Sequence, residues 1–155
     1  MRSTMDVDVI ADIQQPHIGP LLAMLDCEYY ASETAMRHAL EQKSCFNLIH
    51  LPTSFKVDVF VHRRRAFDEA AFARTVMFEL GHEPTFAVPV ASLEDTIIAK
   101  LAWFQEGGGV SERQWNDVSI LMKLHGESVD SRYLRDAAIQ LEVAHLLDRL
   151  LIELS

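Results

Sequence analysis

Asp6 and Asp8 alternate with Val7 and Val9 near the start of the chain, and this period of two constrains the fold more than any other feature. In an extended strand successive side chains point to opposite faces, so both carboxylates share one face and the valines the other. A rise of roughly 3.3 Å per residue sets the two acids about 7 Å apart along the strand. Phe55-Lys56-Val57-Asp58-Val59-Phe60-Val61 repeats the pattern: Val57, Val59 and Val61 form an apolar face, and Asp58 lies on the opposite one. A carboxylate centred in an apolar strand is costly without a partner. Three of them on two strands repel one another unless a cation lies among them. Magnesium takes oxygen ligands from a few carboxylates and from substrate phosphates. Two such ions about 4 Å apart activate an attacking hydroxyl and stabilise a leaving pyrophosphate. The same residues also fit a plainer reading, with Asp6 and Asp8 on a solvated strand and Asp58 on the open face of an antiparallel sheet. Spacing alone leaves both open.

The chain has 155 residues, 49% of them hydrophobic, which is enough to bury a core and suits one domain of ordinary size. No run of about 18 apolar residues occurs, so no transmembrane helix is expected. No charged-then-apolar leader precedes Asp6, and the expected location is cytoplasmic. Cys27 and Cys45 make no disulfide framework and read as reduced, half-buried thiols. A net charge of −9 argues against generic nucleic-acid binding. It leaves a nucleotide substrate open, because bound magnesium screens phosphates.

Along the chain, Met5 to Ala11 predicts a strand and Pro16 to Leu25 a helix opened by proline. Glu28 to Ala31 predicts a short strand, and Ser32 caps a helix to about Lys43. Cys45 to Leu51 and Phe55 to Val61 predict a hairpin around Pro52-Thr53-Ser54. Asp68 to about Leu80 repeats apolar residues at helical spacing and stops at Gly81. Thr85 to Val90 predicts a strand, with Pro89 suggesting an edge or an end. From Ser92 onward the pattern is helical. Gly107-Gly108-Gly109 breaks it, Ser111 with Gln114 starts a helix ending near Gly126, and two more follow around Ser131 to Leu141 and Val143 to Leu154. Strands first and helices last predict an α+β fold, with a sheet-forming part over residues 1–90 and a helical part over 91–155.

Arg2-Ser3-Thr4-Met5-Asp6-Val7-Asp8-Val9-Ile10 resembles the second-strand motif of bacterial nucleotidyltransferase-like proteins of the AbiEii toxin type. Phe55 to Phe60 resembles the strand carrying their third carboxylate. Val90 to Leu101, and Arg113 through Asp117 with Val118, resemble the helices that follow. The resemblance spans most of the chain in the right order. It implies a nucleotidyltransferase-like mixed sheet with helices on it and a C-terminal helical bundle. It also implies Mg2+, or Mn2+ in its place, and transfer of a nucleoside monophosphate from a nucleoside triphosphate to a hydroxyl acceptor. Asp6, Asp8 and Asp58 match the metal-binding, catalytic carboxylates. Arg2, Ser3 and Lys100 match phosphate-binding positions. The partners implied are a nucleoside triphosphate, an RNA or protein acceptor and a cognate antitoxin, in a toxin–antitoxin or phage-defence system. One feature departs from the family: no Gly-Gly or Gly-Ser turn, whose amides hold the triphosphate, precedes Asp6. The expectation is a miscalled start or a reduced domain, with a sheet edge open to a second copy. The alternative function is therefore a non-catalytic interaction module that keeps the fold.

Other residues carry weaker signals. Lys100 fits a snorkelling surface lysine as well as a phosphate contact. Trp103 and Trp115 read as packing residues, His62 as a surface histidine, and Arg63-Arg64-Arg65 as a solvated loop that an RNA or phosphate contact would also explain.

Overall fold

The computed structural model describes residues 6–81 and 85–154. The protein is α+β, with two sheets and seven α-helices among the described residues. It forms two compact units, Met1–Arg64 and Arg65–Ser155. The break thus precedes residue 90, where the sequence pattern changes from strands to helices. No described helix is long and apolar enough to cross a membrane.

The first unit runs β1 (Asp6–Ala11), α1 (Gln15–Leu25), β2 (Tyr29–Ala31), α2 (Glu33–Gln42), β3 (Cys45–His50) and β4 (Phe55–Val61). Its sheet has the order β1-β4-β3-β2. β1 is parallel to β4, while β3 is antiparallel to both β4 and β2, so the sheet is mixed. The odd-numbered valines of β4 follow the period-two rule: Val59 and Val61 are buried with Phe46 and Leu48 of β3. Ile18 of α1 and Met36, Ala39 and Leu40 of α2 close the same core. α2 begins where Ser32 Oγ accepts the Ala35 N–H at 3.2 Å, satisfying one orphan donor of the first turn. It ends at Lys43, whose φ of 50° turns the chain back into β3.

The second unit contains α3 (Ala66–Ala73), β5 (Val76–Leu80), β6 (Phe86–Val90), α4 (Leu93–Glu106), α5 (Glu112–His125), α6 (Ser131–Gln140) and α7 (Ala144–Leu154). Helices α4 to α7 share a core in which Ile97, Ile98, Leu101, Val118, Leu147 and Leu150 are all but inaccessible. Ser92, Ser111 and Asp130 cap α4, α5 and α6 with their side-chain oxygens. Gly108 and Gly109, at φ of 82° and 69°, reverse the chain between α4 and α5 in a conformation that side chains resist.

Three expectations are corrected. The helix expected over Asp68 to Leu80 stops at Ala73, and Val76–Leu80 is a strand paired with β6. Thr75 Oγ1 bonds the Phe72 carbonyl at 3.0 Å, competing with helix propagation. Val76, Phe78 and Leu80 then alternate with period two, opposite Val90, Val88 and Phe86. His62 is buried at 4% exposure, held one residue past β4 where its backbone N–H donates to the Ala11 carbonyl of β1 at 3.0 Å. Cys27 and Cys45 are both exposed instead of half-buried. Cys27 lies in a short 3-10 turn and Cys45 starts β3 on the face away from the helices.

Candidate functional site

The register of the first sheet brings the carboxylates together. Asp8 lies directly across from Asp58 in the parallel β1–β4 pair, and Asp58 lies across from Asn47 in the antiparallel β3–β4 pair. One rung away, Asp6 faces Lys56 and Lys56 faces Ile49. On the other side, Ile10 faces Phe60 and Phe60 faces Cys45. Cross-strand partners share a face, so Asp6, Asp8, Asp58, Lys56, Asn47 and Cys45 all project from one side of the sheet. α1 and α2 pack against the other side, on Val57, Val59 and Val61 of β4, while Val7 and Val9 of the edge strand β1 stay exposed.

Asp58 and Asp6 are partly enclosed and Asp8 is exposed, with the Asp58 side chain 17% exposed. Lys56 Nζ lies 2.7 Å from Asp58 Oδ2. Asp58 Oδ1 is buried and receives no hydrogen bond. A buried carboxylate oxygen in that state is costly, and a hard cation seated against it removes the cost. An all-oxygen set from Asp6, Asp8 and Asp58 fits magnesium in chemistry. Among the described residues, no group of three or more His, Cys, Asp or Glu side chains stands close enough together to hold a metal ion as the side chains lie. The acids also act on Cys45. Partial burial of the sulfur pushes its thiol pKa upward, and the negative charge of Asp58 and Asp8 adds to the shift.

Arg2 and Ser3 lie outside the described residues. Lys100 is on α4 in the second unit, its ammonium 6.0 Å from the Trp103 ring. The arginine run is tied down locally: Arg64 binds Asp12 through both carboxylate oxygens, Arg63 Nε donates to the Lys43 carbonyl, and Arg65 pairs with Asp68. Hydrogen bonding from Arg64 is the main reason the Asp12 carboxyl titrates below its usual range. Trp115 packs on Phe104, with ring centroids 5.2 Å apart, and its Nε1 donates to Glu153 at 2.8 Å.

Two residues beside the acids escaped the sequence reading. Lys56 carries a signal in Lys-x-Asp, since residues two apart on a strand share a face. Asn47 is findable only through the hairpin register, in which His50 pairs with Phe55. A second polar cluster, inside the second unit, was also missed. Asp95 is buried at 2% and accepts hydrogen bonds from Ser92 Oγ, Tyr133 Oη and Arg74. The Arg74 guanidinium also donates to the Tyr133 oxygen and lies over its ring at 3.9 Å. Every Asp95 oxygen there is satisfied by side chains from α4, α6 and the end of α3, which is the pattern of a structural clamp.

The chain has no significant match among family models, curated proteins or solved structures.

Proposed function

We propose that the acidic sheet face of the first unit is the carboxylate platform of a magnesium-dependent nucleotidyltransferase, which moves a nucleoside monophosphate from a nucleoside triphosphate to a hydroxyl acceptor. The observation that supports this reading most is the shared rung of Asp8 and Asp58. Two like charges directly opposite one another destabilise a sheet, and a cation bound between them would offset that cost. Asp6, Asp8 and Asp58 would hold the metal, which when bound would neutralise phosphate charge and acidify the attacking hydroxyl. Asp58 would orient that hydroxyl and accept its proton. The hydroxyl oxygen forms a bond to the α-phosphorus, the bond to the β-phosphate oxygen breaks, and pyrophosphate leaves with the electron pair. Lys100 is assigned to phosphate on the resemblance alone. An RNA or protein hydroxyl in a toxin–antitoxin or phage-defence setting is the acceptor we favour.

A specific observation favours a second reading, a non-catalytic interaction module: the Lys56 ammonium already neutralises Asp58 Oδ2. Calorimetric titration with Mn2+ and then with a non-hydrolysable nucleoside triphosphate separates the two. The enzyme reading expects saturable Mn2+ binding that Asp58→Asn abolishes. Absence of any Mn2+ or nucleotide binding by the full chain sinks it and leaves the module.

A further inference from the structure

We infer that Lys56 is a built-in competitor for the metal, a tethered cation that pairs with Asp58 and yields it when a divalent ion arrives. The inference rests on the carboxylate platform proposed above and assigns a role to a residue outside the three acids. Its ground is placement. Lys56 and Asp58 are two residues apart on one face of β4, and their side chains meet at 2.7 Å. Lys56 is also the cross-strand neighbour of Asp6, as Asp58 is of Asp8. The ammonium therefore sits on the same two-by-two patch as all three carboxylates. Three carboxylates and one ammonium leave two net negative charges on that patch, the charge that one divalent cation cancels.

The ion pair is one-sided. Lys56 engages Oδ2, while Oδ1 stays buried without a hydrogen bond. A monodentate ammonium leaves half of the carboxylate unsatisfied, and a metal ion can use both oxygens. The lysine stem is flexible and its side chain 37% exposed, so its departure needs no rearrangement of the sheet. Lys56 is thus a positioning residue. It keeps the apo platform from splaying under its own repulsion and sets how tightly a divalent ion binds.

Mn2+ titration calorimetry on the full chain, with Lys56→Met, Lys56→Gln and Lys56→Arg, tests this. Thermal melts with and without Mn2+ accompany each titration. An ammonium touching the carboxylate repels an incoming cation and must be displaced by it. Removing the ammonium should therefore tighten Mn2+ binding about tenfold or more in both neutral variants. Lys56→Arg should bind as the parent does. The neutral variants should also melt lower than the parent without metal and gain more from its addition. Unchanged or weaker Mn2+ binding in folded neutral variants overturns the competitor role and leaves the platform standing. Loss of Mn2+ binding in parent and variants alike overturns the platform, and the competitor with it. Lys56→Gln carries the test if Lys56→Met does not fold.

Discussion

Asp8 and Asp58 face each other across the parallel β1–β4 pair, fifty residues apart in the chain. Each contributes a carboxylate to the same rung, and the Asp58 side chain is mostly enclosed. Asp8→Asn removes one of the two opposed charges while keeping size and shape. Without divalent ions it should leave stability unchanged or raise it by about 0.5 kcal/mol. With Mn2+ it should lose the stabilisation that the parent gains. Urea denaturation with and without the ion measures both. A clear loss of stability in metal-free buffer would show that Asp8 serves structure instead.

Asp95 should behave in the opposite way. It is 2% exposed and accepts from Ser92, Tyr133 and Arg74. Asp95→Ala takes the carboxylate from the Arg74 guanidinium and removes a junction between α4, α6 and the end of α3. The Arg74 side chain is 37% exposed and keeps access to water, so the cost is that of the lost hydrogen bonds to a buried carboxylate, about 2 kcal/mol. Chemical denaturation should show a loss of that order, and a loss below about 1 kcal/mol would place the pair among weak surface contacts.

Tyr133 provides a pH signature for the same clamp. Burial, and then the hydrogen bond it donates to Asp95, push its phenol up to about 12 from 10.0. The folded state therefore holds this proton more tightly than the unfolded chain. The corresponding stability is fully present below pH 10 and is lost as pH rises through about 12. Alkaline unfolding of the parent should be steeper across that window than that of Tyr133→Phe, with phenolate absorbance recording the late titration. Equal slopes for the two proteins would remove Tyr133 from the linkage.

Leu101 is fully buried at the centre of the four-helix core of the second unit. Leu101→Ala leaves a cavity and should cost about 3 kcal/mol. Both tryptophans of the chain, Trp103 and Trp115, lie in that unit, so tryptophan fluorescence during urea unfolding reads the loss directly. A midpoint that does not move would mean that the core collapses around the smaller side chain.

Much of the fold was legible because period and capping are local. Alternation of Asp6, Val7, Asp8 and Val9 marked β1, and Ser32, Ser92 and Ser111 marked the helix starts that the structure has. The stretch Asp68 to Leu80 misled because Ala71, Phe72, Val76 and Phe78 satisfy a helical stripe, while Val76, Phe78 and Leu80 also satisfy alternation. Pairing with β6 decided between them, and pairing is not a local property. At the candidate site, sequence identified the three acids and the face each occupies. It did not show that Asp8 and Asp58 share a rung, because register between strands fifty residues apart depends on everything folded between them. Lys56 was overlooked for a related reason. Its partner is a close neighbour in sequence, but its significance comes from Asp6 and Asp8 on another strand.

That separation has a kinetic consequence. The β3–β4 hairpin closes over a handful of residues, whereas β1 must return across α1, β2, α2 and β3 to reach β4. Loop-closure entropy delays contacts of long sequence separation. The acids should therefore meet late in folding, when most of the first unit is already assembled. Docking β1 brings Asp8 against Asp58, so the electrostatic work falls on the same step that closes the sheet. On the proposed reading, refolding of this protein should quicken as divalent ions are added, because the ion offsets the repulsion that Asp8 and Asp58 meet as β1 docks.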